Sequence, residues 1–157
     1  MPTVAKRLEA MGIELPKPAT PIANYVPAVL SGHLLIVSGQ LPFGMDGKLL
    51  INHTGKLTFD SPVERAREAA ELAAVNVLAQ AKAVLGDLDR VKQVLRLGGF
   101  FCVEGAFELM PQAMNGASNL IANAFAERGR HARTTVGVAA LPMNALCEVE
   151  AMFEIEY

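Results

Sequence analysis

The stretch CEVEAMFEI, Cys147–Ile155, alternates without a break. Cys147, Val149, Ala151, Phe153 and Ile155 project to one side and Glu148, Glu150, Met152 and Glu154 to the other, because successive strand side chains point to opposite faces. The apolar side calls for a covering layer of helices. The acidic side looks away from them, toward solvent or another subunit. A sheet covered on one face only belongs to a two-layer α+β sandwich.

The covering helices stand upstream. Ser61, Pro62 and Glu64 read as a cap, a first helical residue and a capping-box partner. Ala66, Ala70, Ala73, Val77, Ala81 and Val84 then recur at three- and four-residue spacing, a stripe small enough to lie close on a sheet, and Gly86 ends it. A second helix fits Pro111 to Glu127, stopped at Gly129. Val91 to Val103 is strand-like, with Gly98-Gly99 marking a bulge or a close backbone approach. Val26 to Leu41 reads as a β-hairpin about Ser31-Gly32, its second strand Leu34 to Ser38. Arg133–Leu141 supplies a strand joined to the last one by a turn at Pro142-Met143-Asn144. The whole implies a mixed sheet of about six strands with two helices on one face. No repeat or linker interrupts residues 1–157, which read as one domain. Residues 1–24 form an N-terminal extension, with a short helix over 3–11 capped by Thr3, then Pro16, Pro18 and Pro21 leading in extended form to Tyr25.

Composition narrows the function. Of 157 residues, 52% are hydrophobic and 19% charged, which is oily for a small monomer and predicts burial between subunits of a homo-oligomer. Fourteen Lys and Arg against sixteen Asp and Glu leave a net charge of −2, so no basic field gathers phosphates and nucleic acid is not the expected partner. No run of 18 apolar residues crosses a membrane. The N-terminus lacks the apolar core of a secretory signal, and a cytoplasmic location is the expectation. Cys102 and Cys147 lack a metal-ligand spacing and read as core thiols. Phosphate-binding glycine loops, zinc-protease and hydrolase-elbow motifs are absent. His33, His53 and His131 are scattered and read as turn or surface residues.

Several pieces together resemble the RidA/YjgF family of imine deaminases, also known as L-PSP endoribonucleases. They are Tyr25-Val26, the run Ile36 to Pro42, Ala132-Arg133-Thr134, Leu141-Pro142 and Glu148-Val149-Glu150-Ala151. The resemblance spans about residues 25–152. It implies a chorismate-mutase-like fold and a homotrimer with clefts between subunits. It also implies cofactor-independent hydrolysis of 2-aminoacrylate-type enamines and imines to 2-oxo acids and ammonia, with no metal.

The chemistry of such a substrate suits the matched residues. A small carboxylate needs an orienting cation, and the planar guanidinium of Arg133 offers two parallel hydrogen bonds. Hydrolysis needs a group that manages a water's proton, the role the resemblance assigns to Glu148. Ser38 and Gly39 would approach the substrate closely, Tyr25 would close the pocket, and the backbone at Thr135 would help hold the water. The family's helical asparagine corresponds to Asn115 or Asn119. His131 stands where proline is usual in the family and Thr135 where deaminases often carry cysteine, which marks a divergent branch.

If the last two strands form a hairpin about residue 144, Arg133 lies opposite residue 155 and Glu148 stands about 20 Å from it along the sheet. One subunit could not bring both to one substrate. The readings that follow are an imine deaminase, a non-catalytic trimeric binder of small carboxylates, and, least favoured, an endoribonuclease or translation inhibitor.

Overall fold

A computed structural model describes all 157 residues. Thr3 caps α1 (Val4–Ala10) by accepting from the Lys6 amide. A hairpin follows, β1 (Ala28–Ser31) and β2 (Leu34–Gln40), turning through Gly32 at a φ of 58° that glycine adopts without strain. Next come α2 (Val63–Leu85), β3 (Val91–Cys102), α3 (Met110–Phe125), β4 (Ala132–Val138) and β5 (Cys147–Ile155).

The sheet is mixed and has five strands, not about six, in the order β1-β2-β5-β3-β4. Only β3 and β4 run parallel. The expected terminal hairpin is absent: β3 lies between β4 and β5 and bonds both. The physical reason is the connection. Met143 and Asn144 carry positive φ in a short 3-10 turn that carries the chain past β3 rather than back along β4.

Both long helices pack on one face. Ala66, Ala70, Ala73, Val77 and Ala81 are fully buried there, as their spacing predicts. Val84 is not, because the 3.6-residue period has drifted by that turn and Leu85 takes the inner position. Ser61 does not cap α2. Its hydroxyl accepts from the Thr58 amide at 2.8 Å, and Pro62 occupies the cap position. The helices touch at Gly116, where a Cβ would come within 2.0 Å of the Arg67 carbonyl oxygen. Alternate residues of β5 are buried against this layer as their pattern predicts. Gly98 and Gly99 mark close approaches, Gly98 beneath Glu150 and Gly99 beneath Met114. The uncovered face exposes Leu34, Ile36 and Val136 at 36%, 42% and 40%, beside the ion pairs Arg96–Glu150 and Lys92–Glu154.

Candidate functional site

The residues singled out in the sequence gather into two separate groups. The first lies on the uncovered face at the end of β5. Glu148 extends over Gly39, so closely that a Cβ there would stand 2.6 Å from its carboxylate oxygen. Tyr25, Gly39, Gln40, Gln80, Pro142 and Glu148 line a crevice of about 40 Å³, enough for water. Ser38 holds one wall: its hydroxyl donates to the Val26 carbonyl at 2.8 Å and its amide to that of Pro27 at 2.9 Å, tying the Tyr25 segment to β2. Its hydroxyl proton is thereby committed to the backbone.

Glu148 differs from its neighbours on that face. Glu150 and Glu154 have cationic partners; Glu148 has neither an ion pair nor a hydrogen bond within the protomer. Burial, and then the nearby charge of Glu150, raise its pKa above the ordinary glutamate value. That is the condition of a carboxyl able to take and return a proton.

The second group lies over the edge strand, on the helix side. Arg133 is in register with the buried Leu97 and so points toward the helix layer. Its Nη1 donates to Asn115 Oδ1 at 2.8 Å and Ser118 Oγ at 3.1 Å, and its Nη2 to the Pro111 carbonyl at 3.0 Å. All three partners are neutral, and Arg133 makes no ion pair. Three of a guanidinium's five N–H groups are committed, which leaves two, the number a carboxylate takes in a fork. Asn115, not Asn119, touches the arginine; Asn119 is exposed on the next turn of α3. Thr135 lies two residues on, on the same face, with its Oγ1 buried and without a partner.

Neither Ser118 nor Gln80 was singled out in the sequence, and Pro142 stood there as a turn residue and as part of the Leu141-Pro142 match, not as a wall of the crevice. Gln80, with Asn76 one turn before it, is a polar residue at a buried position of an alanine-lined helix. Gln80 Nε2 donates to the Ala19 carbonyl at 2.8 Å and reaches Gln40 Oε1 at 3.3 Å, which fixes the proline-rich lead-in beside the crevice. Two polar residues at i and i+4 inside an apolar stripe were the available signal.

The histidines do not converge. His53 is 5% exposed, a correction to the surface position expected for it, because the first 3-10 turn folds it against α2, 4.0 Å from Glu68. His131 is held by Ser118 and Gly129. No three His, Cys, Asp or Glu side chains come together as a metal-ligand set, and no helix is long and apolar enough to cross a membrane.

Residues 5–155 match the family model described as "YjgF/chorismate mutase-like, putative endoribonuclease". The chain is 45% identical over 153 residues to Protein TCP17 of Trypanosoma cruzi, covering 97% of this chain and 94% of that protein. A crystal structure of Atu1372 from Agrobacterium tumefaciens, described as of unknown function, is 46% identical, covers 99% of this chain and 93% of its own, and superposes with a TM-score of 0.88. A Shewanella oneidensis structure described as a "putative endoribonuclease" is 39% identical over 98% of this chain and all of its own, with a TM-score of 0.93. The chain belongs to the YjgF/RidA family and has its chorismate-mutase-like fold.

Proposed function

We propose that the protein hydrolyses small 2-imino and enamine carboxylates to 2-oxo acids and ammonia, in clefts between the subunits of a homotrimer. The observation that carries this reading is the division of the two groups. Arg133 and Glu148 point to opposite faces of one sheet, so a single substrate meets both only when a second copy supplies one of them. A contact that joins one surface of each copy to a different surface of the next closes into a three-membered ring when each step turns by a third of a revolution. The exposed Leu34, Ile36 and Val136 give that ring apolar area to bury.

In such a cleft the two uncommitted N–H groups of Arg133 grip the substrate carboxylate. Glu148 takes a proton from water as its oxygen adds to the imine carbon, and returns it to nitrogen. Glu148 then carries the new hydroxyl's proton to the amine as the C–N bond breaks. One water enters, one ammonia leaves, and the carbonyl remains. The endoribonuclease reading finds no support in a net charge of −2 and histidines that lie apart.

The non-catalytic alternative uses the same arginine and the same two free donors and differs from the deaminase only in turnover. Ammonia release from freshly generated 2-aminoacrylate decides between them. Turnover by the native protein, lost almost completely in Arg133→Ala with the oligomer intact, supports the deaminase. Binding of 2-oxobutyrate without turnover supports the binder.

A further inference from the structure

Arg133 is held by an ordered relay, not by isolated contacts. Gly129 contributes a backbone carbonyl, which can only accept, 2.7 Å from His131 Nδ1. The ring proton of neutral His131 therefore sits on Nδ1, and Nε2 is left as an acceptor. Ser118 Oγ lies 2.9 Å from that Nε2, so the hydroxyl donates to it. The serine oxygen then has its lone pairs free for Arg133 Nη1 at 3.1 Å. Each step dictates the next, from a carbonyl at the end of the 3-10 turn after α3 to the guanidinium.

We infer that His131, acting through Ser118, is a positioning residue that sets the orientation of the Arg133 guanidinium and so its grip on a substrate carboxylate. The inference rests on the proposed role of Arg133 as anchor. Asn115 holds one hydrogen of Nη1 and the Pro111 carbonyl one of Nη2; Ser118 takes the second hydrogen of Nη1 and so sets how the guanidinium plane tilts between those two contacts. Nε2 draws the serine's proton away from the guanidinium and fixes the direction in which the serine's lone pairs meet Nη1. His131 is kept neutral first by burial and then by the charge of Arg133, with the Gly129 carbonyl opposing. A protonated ring would aim a second N–H at the same serine oxygen, already claimed by a cation.

Binding of 2-oxobutyrate, measured by calorimetry on the intact oligomer, tests this. His131→Phe keeps the ring volume and removes the acceptor, and should raise the dissociation constant on the order of tenfold, the size of one hydrogen bond to a charged group. His131→Gln returns an acceptor to Ser118 and should recover most of that loss, which a packing role for the ring would not allow. Ser118→Ala should match His131→Phe, and the double variant should be no weaker than either single one, because both cut the same relay. Native affinity in His131→Phe or Ser118→Ala, or a His131→Gln protein as weak as His131→Phe, overturns the relay. Arg133→Ala run alongside separates the two claims. If it binds as the native protein does, the anchor itself is wrong. If it fails to bind while His131→Phe is unaffected, only the relay is.

Discussion

Arg133 and Glu148 occupy opposite faces of the same sheet, two strands and three residue positions apart. Arg133 stands level with Leu97 and Ala151, Glu148 level with Phe100 and Val136. Their backbones are on the order of 14 Å apart by strand spacing and rise, and their side chains diverge from there.

Arg133→Lys should not substitute. An ammonium keeps the charge but cannot span Asn115, Ser118 and Pro111 while presenting two parallel donors. The affinity for 2-oxobutyrate should fall on the order of tenfold or more, with the oligomer intact by light scattering. Native affinity would show that charge alone suffices.

Glu148→Gln should slow hydrolysis far more than it weakens 2-oxo acid binding, since the amide cannot cycle a proton. It should also stabilise the fold at neutral pH. The folded-state pKa of Glu148 is raised, so the native protein holds that proton more tightly than the unfolded chain does, and ionising the group costs stability as pH rises through the raised value. The variant's advantage in melting temperature should therefore be present at pH 7 and shrink in acid, below the raised pKa. An advantage independent of pH would place its source elsewhere.

Gly39→Ala should separate activity from stability. Its Cβ would meet the flexible end of Glu148, which can swing away at small cost but then leaves the crevice. Turnover should drop on the order of tenfold or more, with unfolding free energy changed by less than about 1 kcal/mol. Gly98→Ala crowds Glu150 in the same way, outside the crevice, and should leave turnover near native.

Gly116→Ala tests the helix layer. The new methyl would meet a backbone carbonyl, which cannot move aside, so overpacking outweighs the gain in helix propensity. A loss of about 2 kcal/mol is expected in urea unfolding.

Glu148 and Gly39 were singled out by the motifs they share with the family; the local pattern alone gives an acidic alternation and a glycine closing an apolar strand, and does not choose among Glu148, Glu150 and Glu154. The choice between Asn115 and Asn119 was not readable. Both sit on α3, and a single turn of helix decides which one faces Arg133. Ser118 carried no signal, because a lone serine on a helix gains meaning only from what stands opposite it. His131 stands out in the sequence as a departure from the family's proline, but its role depends on a carbonyl two residues earlier and a hydroxyl on α3.

By itself the chain determined its layers. Periods of 2 and 3.6 separate strands from helices and apolar faces from polar ones, since each pattern is imposed by backbone geometry over a few neighbouring residues. Which strands became neighbours was decided only in three dimensions. A terminal hairpin places Arg133 and Glu148 about 20 Å apart along one ladder; inserting β3 between β4 and β5 places them across the sheet instead, on the order of 14 Å apart and still on opposite faces. Both arrangements satisfy the same local alternation. The burial of β3 between two partners, a contact between residues far apart in the chain, selects the second.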